Sequence, residues 1–516
     1  MGMAMAMGEI SFIALCGVML TGAWVFYWIW WRPMKVERGL KEQGIRGHPY
    51  RLLFGNKKEE ARLRKEALSK PVGSLSHNIV GRVIPFVHHT IQTYGEMSLS
   101  WNGRTPIVYV TDPELVKDIL FNKFGHFERD KLNPLTKLLV KGLVSYDGEK
   151  WATHRRIINP AFHPEKLKGM LPAFSTSCSE LITRWERLAD SKGSCEVDMW
   201  PELQILSRDV ISRSAFGSSY EEGRRIFELQ YELAHLVVQA AMSIYIPGFR
   251  FLPTKKNKRM KEIAREVRAL LEEMVNKREE ILKKGGGSTN DLLGLLLKYN
   301  QEHDISKDVR MSIDDVIEEC KLFYFAGQET TSVLLTWTMI VLSIHPEWQL
   351  KAKEEVLQVF GRNKPDFDGL NHLKIVTMIL YEVLRLYPPV VMLNRYTNKK
   401  IRLREISFPS GVLFSMPVVF LHHSKELWGE DAQEFNPERF SGGVLNATNN
   451  HVSFYPFGWG PRLCIGQNFA LLEAKMALTM ILQHFQFELS PSYCHAPHKG
   501  LTLEPQYGAQ IILHKL

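Results

Sequence analysis

The sequence predicts a mainly α protein with small β-sheets, preceded by a single N-terminal transmembrane helix. Three observations carry that reading: one long uncharged run near the start, apolar residues at helical spacing through most of the remainder, and strand-like alternation confined to short stretches. With 516 residues, 45% hydrophobic and 23% charged, the chain has ample apolar material for a large core, and disorder is excluded.

Ile10 to Trp31 holds 22 residues without Asp, Glu, Lys or Arg. As a helix it reaches roughly 33 Å, enough to span a bilayer. Its far end is crowded with Trp24, Phe26, Tyr27, Trp28, Trp30 and Trp31, an aromatic belt suited to the headgroup level. Lys35, Arg38, Lys41 and Arg46 follow, and Glu9 is the charge before the run, so the positive-inside rule leaves the bulk of the chain in the cytosol. A cleaved signal peptide would need a basic n-region, a shorter apolar stretch and a small-residue cleavage site, and these are missing. The expected organisation is an anchor over 1–31, a basic hinge over 32–55 punctuated by Gly44, Gly47 and Pro49, and one domain over 56–516.

Glu96 to Val110 reads as two strands around the hairpin dipeptide Asn102-Gly103. Helical patterns follow through 148–159, 166–190, 221–241, 257–284, 312–344, 346–359 and 467–485, with a Gly-rich surface loop over 283–291. Strand-like segments return near 394–420 and 500–515. The six cysteines (16, 178, 195, 320, 464, 494) form no CxxC pair, and a cytosolic chain keeps them reduced. The sequon Asn446-Ala447-Thr448 is then a chance match. The net charge of +9 is dispersed rather than blocked, which suits a membrane surface or an acidic partner better than nucleic acid.

The chemistry concentrates near the C-terminus, where Phe457-Gly458-Trp459-Gly460-Pro461-Arg462-Leu463-Cys464-Ile465-Gly466 runs into the last helix. A cysteine at a helix N-terminus meets partial positive charge and unpaired N–H groups, which favour the thiolate, a ligand for iron. A lone cysteine would read as a small buried hydrophobe, but the complete F-x-x-G-x-R-x-C-x-G pattern outweighs that. Glu382 and Arg385 stand three apart on a helix, a spacing that alone would be a surface pair, and Pro437-Glu438-Arg439-Phe440 lies between them and the cysteine loop. Ala326-Gly327-Gln328-Glu329-Thr330-Thr331 sets an acid and a hydroxyl in the middle of a long apolar helix, a local conflict that points to function. The bland alternative is a threonine bonded back to the carbonyl one turn earlier. Trp151 and Arg155 share one helix face, and Arg395 follows Tyr387-Pro388-Pro389. His422-His423 has no further ligand set and reads as structural.

In this order, the motifs resemble the cytochromes P450 over essentially the whole chain. WATHRRIINPAFH (151–163), FLPTKKNKRM (251–260) and FAGQETTSVLLTW (325–337) sharpen the likeness to the plant seventy-two clan, A subfamily, to which secologanin synthase belongs. Ser424, where Asp is expected, and a single Pro49 in place of a proline-rich run depart from the pattern. The resemblance implies the cytochrome P450 fold and haem b with Cys464 as axial thiolate. Gly460 and Gly466 would turn the backbone beside the macrocycle, Phe457 would shield the sulfur, and Trp151, Arg155, Arg395 and Arg462 would meet the propionates. It assigns Gly327 to admitting O₂, Thr330 to hydrogen bonding during oxygen activation, Glu329 to proton relay, and Glu382, Arg385 and Arg439 to a buried structural network.

The implied reaction takes electrons from NADPH, not bound directly, through an NADPH-cytochrome P450 reductase at the endoplasmic reticulum membrane. Lys150 and Arg156 are candidate contacts for that acidic partner. The apolar stretch 244–252, with Lys255, Lys256, Lys258 and Arg259 after it, is a candidate second contact with membrane lipid. Family position puts the substrate pocket near 127–143, 237–246, 323–326, 390–393 and 506–507. These segments are mostly apolar, so the expected substrate is a lipophilic small molecule, foremost a steroid or triterpenoid. A secoiridoid, a gibberellin-type diterpenoid or a xenobiotic is the alternative within the same mechanism. Two other classes stay open on the residues: a haem-thiolate isomerase or dehydratase, against which Glu329-Thr330 and the anchor argue, and a non-catalytic membrane sterol binder.

Overall fold

The computed structural model describes residues 2–73, 75–123, 125–129, 134–190, 193–242, 248–284, 291–302, 311–448 and 451–516. The chain opens as one helical rod: α1 (Gly2–Phe26) passes through a π-helical stretch, Tyr27–Trp31, into α2 (Arg32–Lys41). Helix therefore continues into the segment read as hinge. Pro33 sits in the first turn of α2, where its missing N–H is no loss, and the chain turns only near Gly44, whose φ is 90°. Apolar side chains such as Phe12, Val18, Leu20 and Phe26 are exposed, as contact with lipid requires. The rod's far end is tied to the domain. Glu37 accepts the Tyr50 N–H at 2.9 Å, the Tyr50 hydroxyl donates to the Ile29 carbonyl at 2.5 Å, and the Tyr50 ring lies 5.0 Å from that of Trp101.

Two sheets flank the helices. The six-stranded sheet comprises β1 (Arg46–Gly47), β2 (Met97–Asn102), β3 (Thr105–Val110), β4 (Phe127–Glu128), β6 (Leu393–Thr397) and β7 (Leu413–Met416), in the order β1-β2-β3-β7-β6-β4. The β2–β3 hairpin turns at Gly103-Arg104, one residue later than the Asn102-Gly103 dipeptide read from the sequence, because Asn102 pairs with Thr105 at the end of β2. β6 pairs antiparallel with both β7 and β4, which matters below because Arg395 lies on β6. The smaller sheet joins β5 (Ser194–Asp198), β8 (Phe485–Leu489) and the central β11 (Gln510–Lys515), and a hairpin of β9 (Pro497–Lys499) and β10 (Leu503–Pro505) precedes β11.

The helices that position the site are α3 (Lys57–Leu68), α4 (Gly148–Ile158), α5 (Pro164–Ala189), α6 (Met199–Phe216), α7 (Tyr220–Met242), α8 (Lys255–Lys283), α9 (Ile313–Ile344), α10 (Pro346–Phe360), α11 (Lys374–Leu386) and α12 (Gln467–His484). Seven of them begin and end within two residues of the patterns read from the sequence, while α3, α6 and α11 had no such pattern. α9 is the spine. The Ser312 hydroxyl accepts the Asp315 N–H at its start, and Asp314 and Asp315 complement the helix dipole. Below that first turn the helix is largely buried, packed on α6, with Trp337 stacked on Tyr387 at 4.4 Å and donating to the Leu503 carbonyl at 2.8 Å.

Candidate functional site

Cys464 ends a loop that closes on itself, its N–H donating to the Phe457 carbonyl at 2.9 Å, two residues before Gly466 caps α12. Gly460 is indispensable to that loop. Its φ is +72°, and a β carbon there would lie 2.9 Å from the Leu120 carbonyl oxygen. Gly466 has φ −89°, which any residue adopts, so its contribution is its N–H, which lies near enough to the cysteine sulfur to favour the thiolate. The Cys464 residue keeps accessible surface, yet the surrounding protein desolvates the thiol enough to push its pKa up. The Gly466 N–H and the Arg155 guanidinium pull the other way without prevailing, so the helix terminus alone does not produce the thiolate expected from the sequence. Phe457 is half-buried against the main core.

Beside the loop, Arg462 lies over the Trp151 ring at 4.5 Å and pairs with Asp147. Arg395 is buried, at 4% exposure, and Arg129, at the end of β4, is brought beside it by the β4–β6 register. Burial and then mutual repulsion with Arg462 push Arg129 down to about 10. Burial, then repulsion from Arg129 and Arg462, pushes Arg395 down to about 9. Asp147 is the carboxylate set among the three guanidiniums, and among the described residues Arg129 Nε and Arg462 Nη1 are buried without hydrogen-bond partners. Sequence reasoning found Arg395, Arg462 and Trp151 but missed Arg129 and Asp147. Arg155 stands apart from the cluster: its Nη1 donates to the Leu463 carbonyl at 2.8 Å, next to the cysteine.

On α9 the Thr330 hydroxyl donates to the Ala326 carbonyl at 2.9 Å, the local back-bond that a helical threonine makes. Glu329 is 6% exposed and accepts from Thr502 Oγ1 at 2.8 Å. Burial, reinforced by the nearby Glu504 carboxylate, raises Glu329 to about 7. Gly327 faces α6, where an added β carbon would lie 2.8 Å from Ile211 Cδ1. The structure gives this glycine a helix-packing role.

Glu382, Arg385 and Arg439 come together as the motif spacing suggests. Arg385 forks onto Glu382 at 2.6 and 2.7 Å, both residues wholly buried, while Arg439 Nε stands 3.7 Å from Glu382 and its Nη2 bonds Asp431 at 2.8 Å. His422 is neutral and structural. Its Nε2 accepts the Tyr455 N–H at 2.9 Å, so its Nδ1 donates to the Arg385 carbonyl at 3.1 Å, tying the network to the start of the cysteine loop. His423 Nε2 bonds the Leu386 carbonyl.

Lys150 is not the free surface cation expected: its Nζ is 2.7 Å from Asp315 and 4.3 Å from the Tyr146 ring centre. That pair helps pin α4 to α9, together with His154 and Glu319 at 2.6 Å. Arg156 is exposed and lines an open groove of about 630 Å³ with Trp151, Arg155 and Lys166. Parts of three expected regions lie outside the described residues: 130–133 and 243–247 of the pocket and membrane-contact segments, and 285–290 of the Gly-rich loop.

The cytochrome P450 family model matches residues 78–511, and the chain belongs to that family of monooxygenases. It is 60% identical to cytochrome P450 CYP72A616 of Paris polyphylla over 96% of this chain and 97% of that one. It is 53% identical to secologanin synthase 1 of Catharanthus roseus, over 97% and 96% respectively. Among solved structures, retinoic acid bound cyanobacterial CYP120A1 shares the fold, with a TM-score of 0.76 at 22% identity, over 92% of this chain and 99% of that one. Within the family the chain falls in the plant CYP72A subfamily. The family implies a haem-thiolate centre, a reductase partner and O₂. The residues present fit that group: a thiol with accessible surface, and three guanidiniums with one carboxylate and two unbonded buried donors, a deficit that two propionates would fill.

Proposed function

We propose that this chain is a membrane-anchored haem-thiolate monooxygenase with Cys464 as axial ligand, hydroxylating a steroid or triterpenoid. The observation that carries the reading is the Cys464 loop at the head of α12 beside the Arg129–Arg395–Arg462 cluster. Arg129, Arg395 and Arg462, with Trp151, would hold the propionates, and coordination to iron would complete the deprotonation of Cys464 that its surroundings alone do not achieve. When bound, haem supplies the redox chemistry, taking electrons that originate in NADPH and inserting one atom of O₂ into a C–H bond while the other leaves as water. Glu329, near neutral in its titration, can take up and release a proton at physiological pH, and Thr330 Oγ1 can leave the Ala326 carbonyl to donate instead.

The anchor supports a single-pass placement in the endoplasmic reticulum membrane with the domain in the cytosol. Exposed Phe249, Phe251 and Leu252, ahead of Lys255 and Lys256, support a second contact with lipid. The likeness to a secologanin synthase favours one further reading, oxidation of a secoiridoid. The test is NADPH-dependent product formation in microsomes carrying this protein and a plant reductase, offered sterols, triterpenoids, secoiridoids and gibberellins, with Cys464→Ala as control. A product gaining one oxygen from a sterol or triterpenoid, lost in the control, is expected. A product from the secoiridoids alone would overturn the substrate reading and leave the chemistry standing.

A further inference from the structure

Glu329 owes its setting to a turn far away in the chain. Thr502, whose hydroxyl donates to Glu329 Oε1 at 2.8 Å, belongs to the turn joining β9 to β10. Glu504 folds that turn: its Oε1 accepts the Leu501 N–H at 3.1 Å, and the Thr502 N–H favours its charged form. The Gly500 N–H donates to the Thr502 carbonyl at 2.9 Å, and a β carbon at Gly500 would lie 2.2 Å from Glu504 Oε1. The turn is thus wrapped on the Glu504 carboxylate with no room for a side chain at residue 500. A cavity of about 120 Å³ opens beside Glu329, Gln328, Glu504 and His498.

We infer that the 500–502 turn is a positioning element for Glu329: Glu504 folds the turn, and the turn delivers Thr502 Oγ1, which fixes the direction of the Glu329 carboxyl. This rests on the reading of Glu329 as a proton relay. A carboxyl that must pass protons in one direction needs such a fixed partner, because a free χ rotation would present either oxygen to either side. The groups facing it are Glu504 and His498 from the hairpin, Tyr231 and His235 from α7, Arg208 from α6, Arg64 from α3, and its neighbour Gln328. Among these, Glu504 raises Glu329, and Thr502, Arg208 and Gln328 lower it.

The two hairpin residues therefore act in opposite directions, which a general loosening of the pocket would not reproduce. The experiment is an infrared titration of the Glu329 carboxyl in substrate-free holoenzyme, the band assigned by Glu329→Gln and the fold checked by the reduced carbon monoxide spectrum. Thr502→Val should move the midpoint up from about 7; Glu504→Gln, whose amide oxygen still accepts the Leu501 N–H and keeps the turn while the charge is lost, should move it down; and Thr502→Ser should leave it in place. With a substrate from the panel above, the pH profile of product formation should move in the same directions. An unmoved band and midpoint in both Thr502→Val and Glu504→Gln, or a downward shift in both, would overturn the inference. If the midpoints move as stated while Glu329→Gln keeps full product yield, the positioning stands and the relay reading falls.

Discussion

Arg385→Ala should deplete the folded enzyme rather than impair it. The guanidinium has five N–H donors. Five bonds use them: two to Glu382 at 2.6 and 2.7 Å, and three to the carbonyls of His422, Ala432 and Glu434 at 2.7, 2.6 and 3.0 Å. Truncation strands the Glu382 carboxylate, which retains the Asn436 N–H at 3.0 Å and Arg439 at 3.7 Å, and leaves three buried carbonyls short of a partner. A stranded buried charge costs about 3–5 kcal/mol, and each carbonyl adds about 1 kcal/mol, which makes roughly 6–8 kcal/mol in all. Set against a total stability of about 5–15 kcal/mol, that removes about half or more of the margin and, toward the lower end of the range, the folded protein itself. Arg385→Lys keeps the charge with three donors and no fork, so about 2–4 kcal/mol is lost and a folded fraction survives. Pulse proteolysis in urea, read beside the yield of the thiolate carbon monoxide band, ranks the variants. Because the His422 carbonyl accepts from Arg385 and His422 Nε2 holds Tyr455, the band should disappear at lower urea than proteolytic protection in Arg385→Lys. An Arg385→Ala protein as resistant as the parent chain would refute the reasoning.

Gly327→Ala should destabilise by about 1–3 kcal/mol through the contact with Ile211, and Ile211→Ala in the same chain should recover part of the loss relative to the sum of the single changes, measured as a double-mutant cycle. Glu329 is held at about 7 against the ordinary 4.5, so the folded protein binds an extra proton between those values. Its penalty on stability is absent below pH 4.5, grows to about 3 kcal/mol by pH 7 and then levels off, so Glu329→Gln should gain on the parent across that window. A pH-independent difference in urea midpoint would contradict this. Gly460→Ala, forced to φ +72° with its β carbon on the Leu120 carbonyl, should yield protein without the thiolate band.

Local signals made most of the site legible. The cysteine loop, the Glu382–Arg385 spacing and the acid–hydroxyl pair on α9 each lie within ten residues of chain, so their chemistry is visible before folding. Arg129 and Asp147 were not, because nothing near either residue distinguishes it from a surface charge: β4 is two residues long, and its register with β6 is what buries Arg129. Thr502 and Glu504 were hidden for the same reason, since their partner lies on another element. The helix α6 escaped because it is buried on several sides and mixes Ser207, Asp209, Ser212 and Ser214 among its buried residues, which erases the one-sided stripe. Its ends did carry readable signals, an Asp198 side chain accepting the Trp200 N–H and Gly217 in the left-handed region.

Consecutive residues on a helix point about 100° apart, so Glu329 and Thr330 cannot serve the same surroundings. The structure shows the consequence. Thr330 lies in register with Ala326, to which it bonds, whereas Glu329 shares its row with Phe325 and turns to the cavity and the C-terminal hairpin. On the proposed relay, a proton held at Glu329 Oε1 would have to pass around the helix to reach Thr330 Oγ1, whose hydroxyl is already bonded to the Ala326 carbonyl. Two separate adjustments would then control the proposed transfer: release of the hydroxyl from its back-bond, and orientation of the acid by Thr502. The first is a property of α9 alone. The second couples the acid to a turn beyond the cysteine loop in sequence, which is why substitutions in the hairpin should alter proton handling while leaving the Cys464 loop and its arginines as they are.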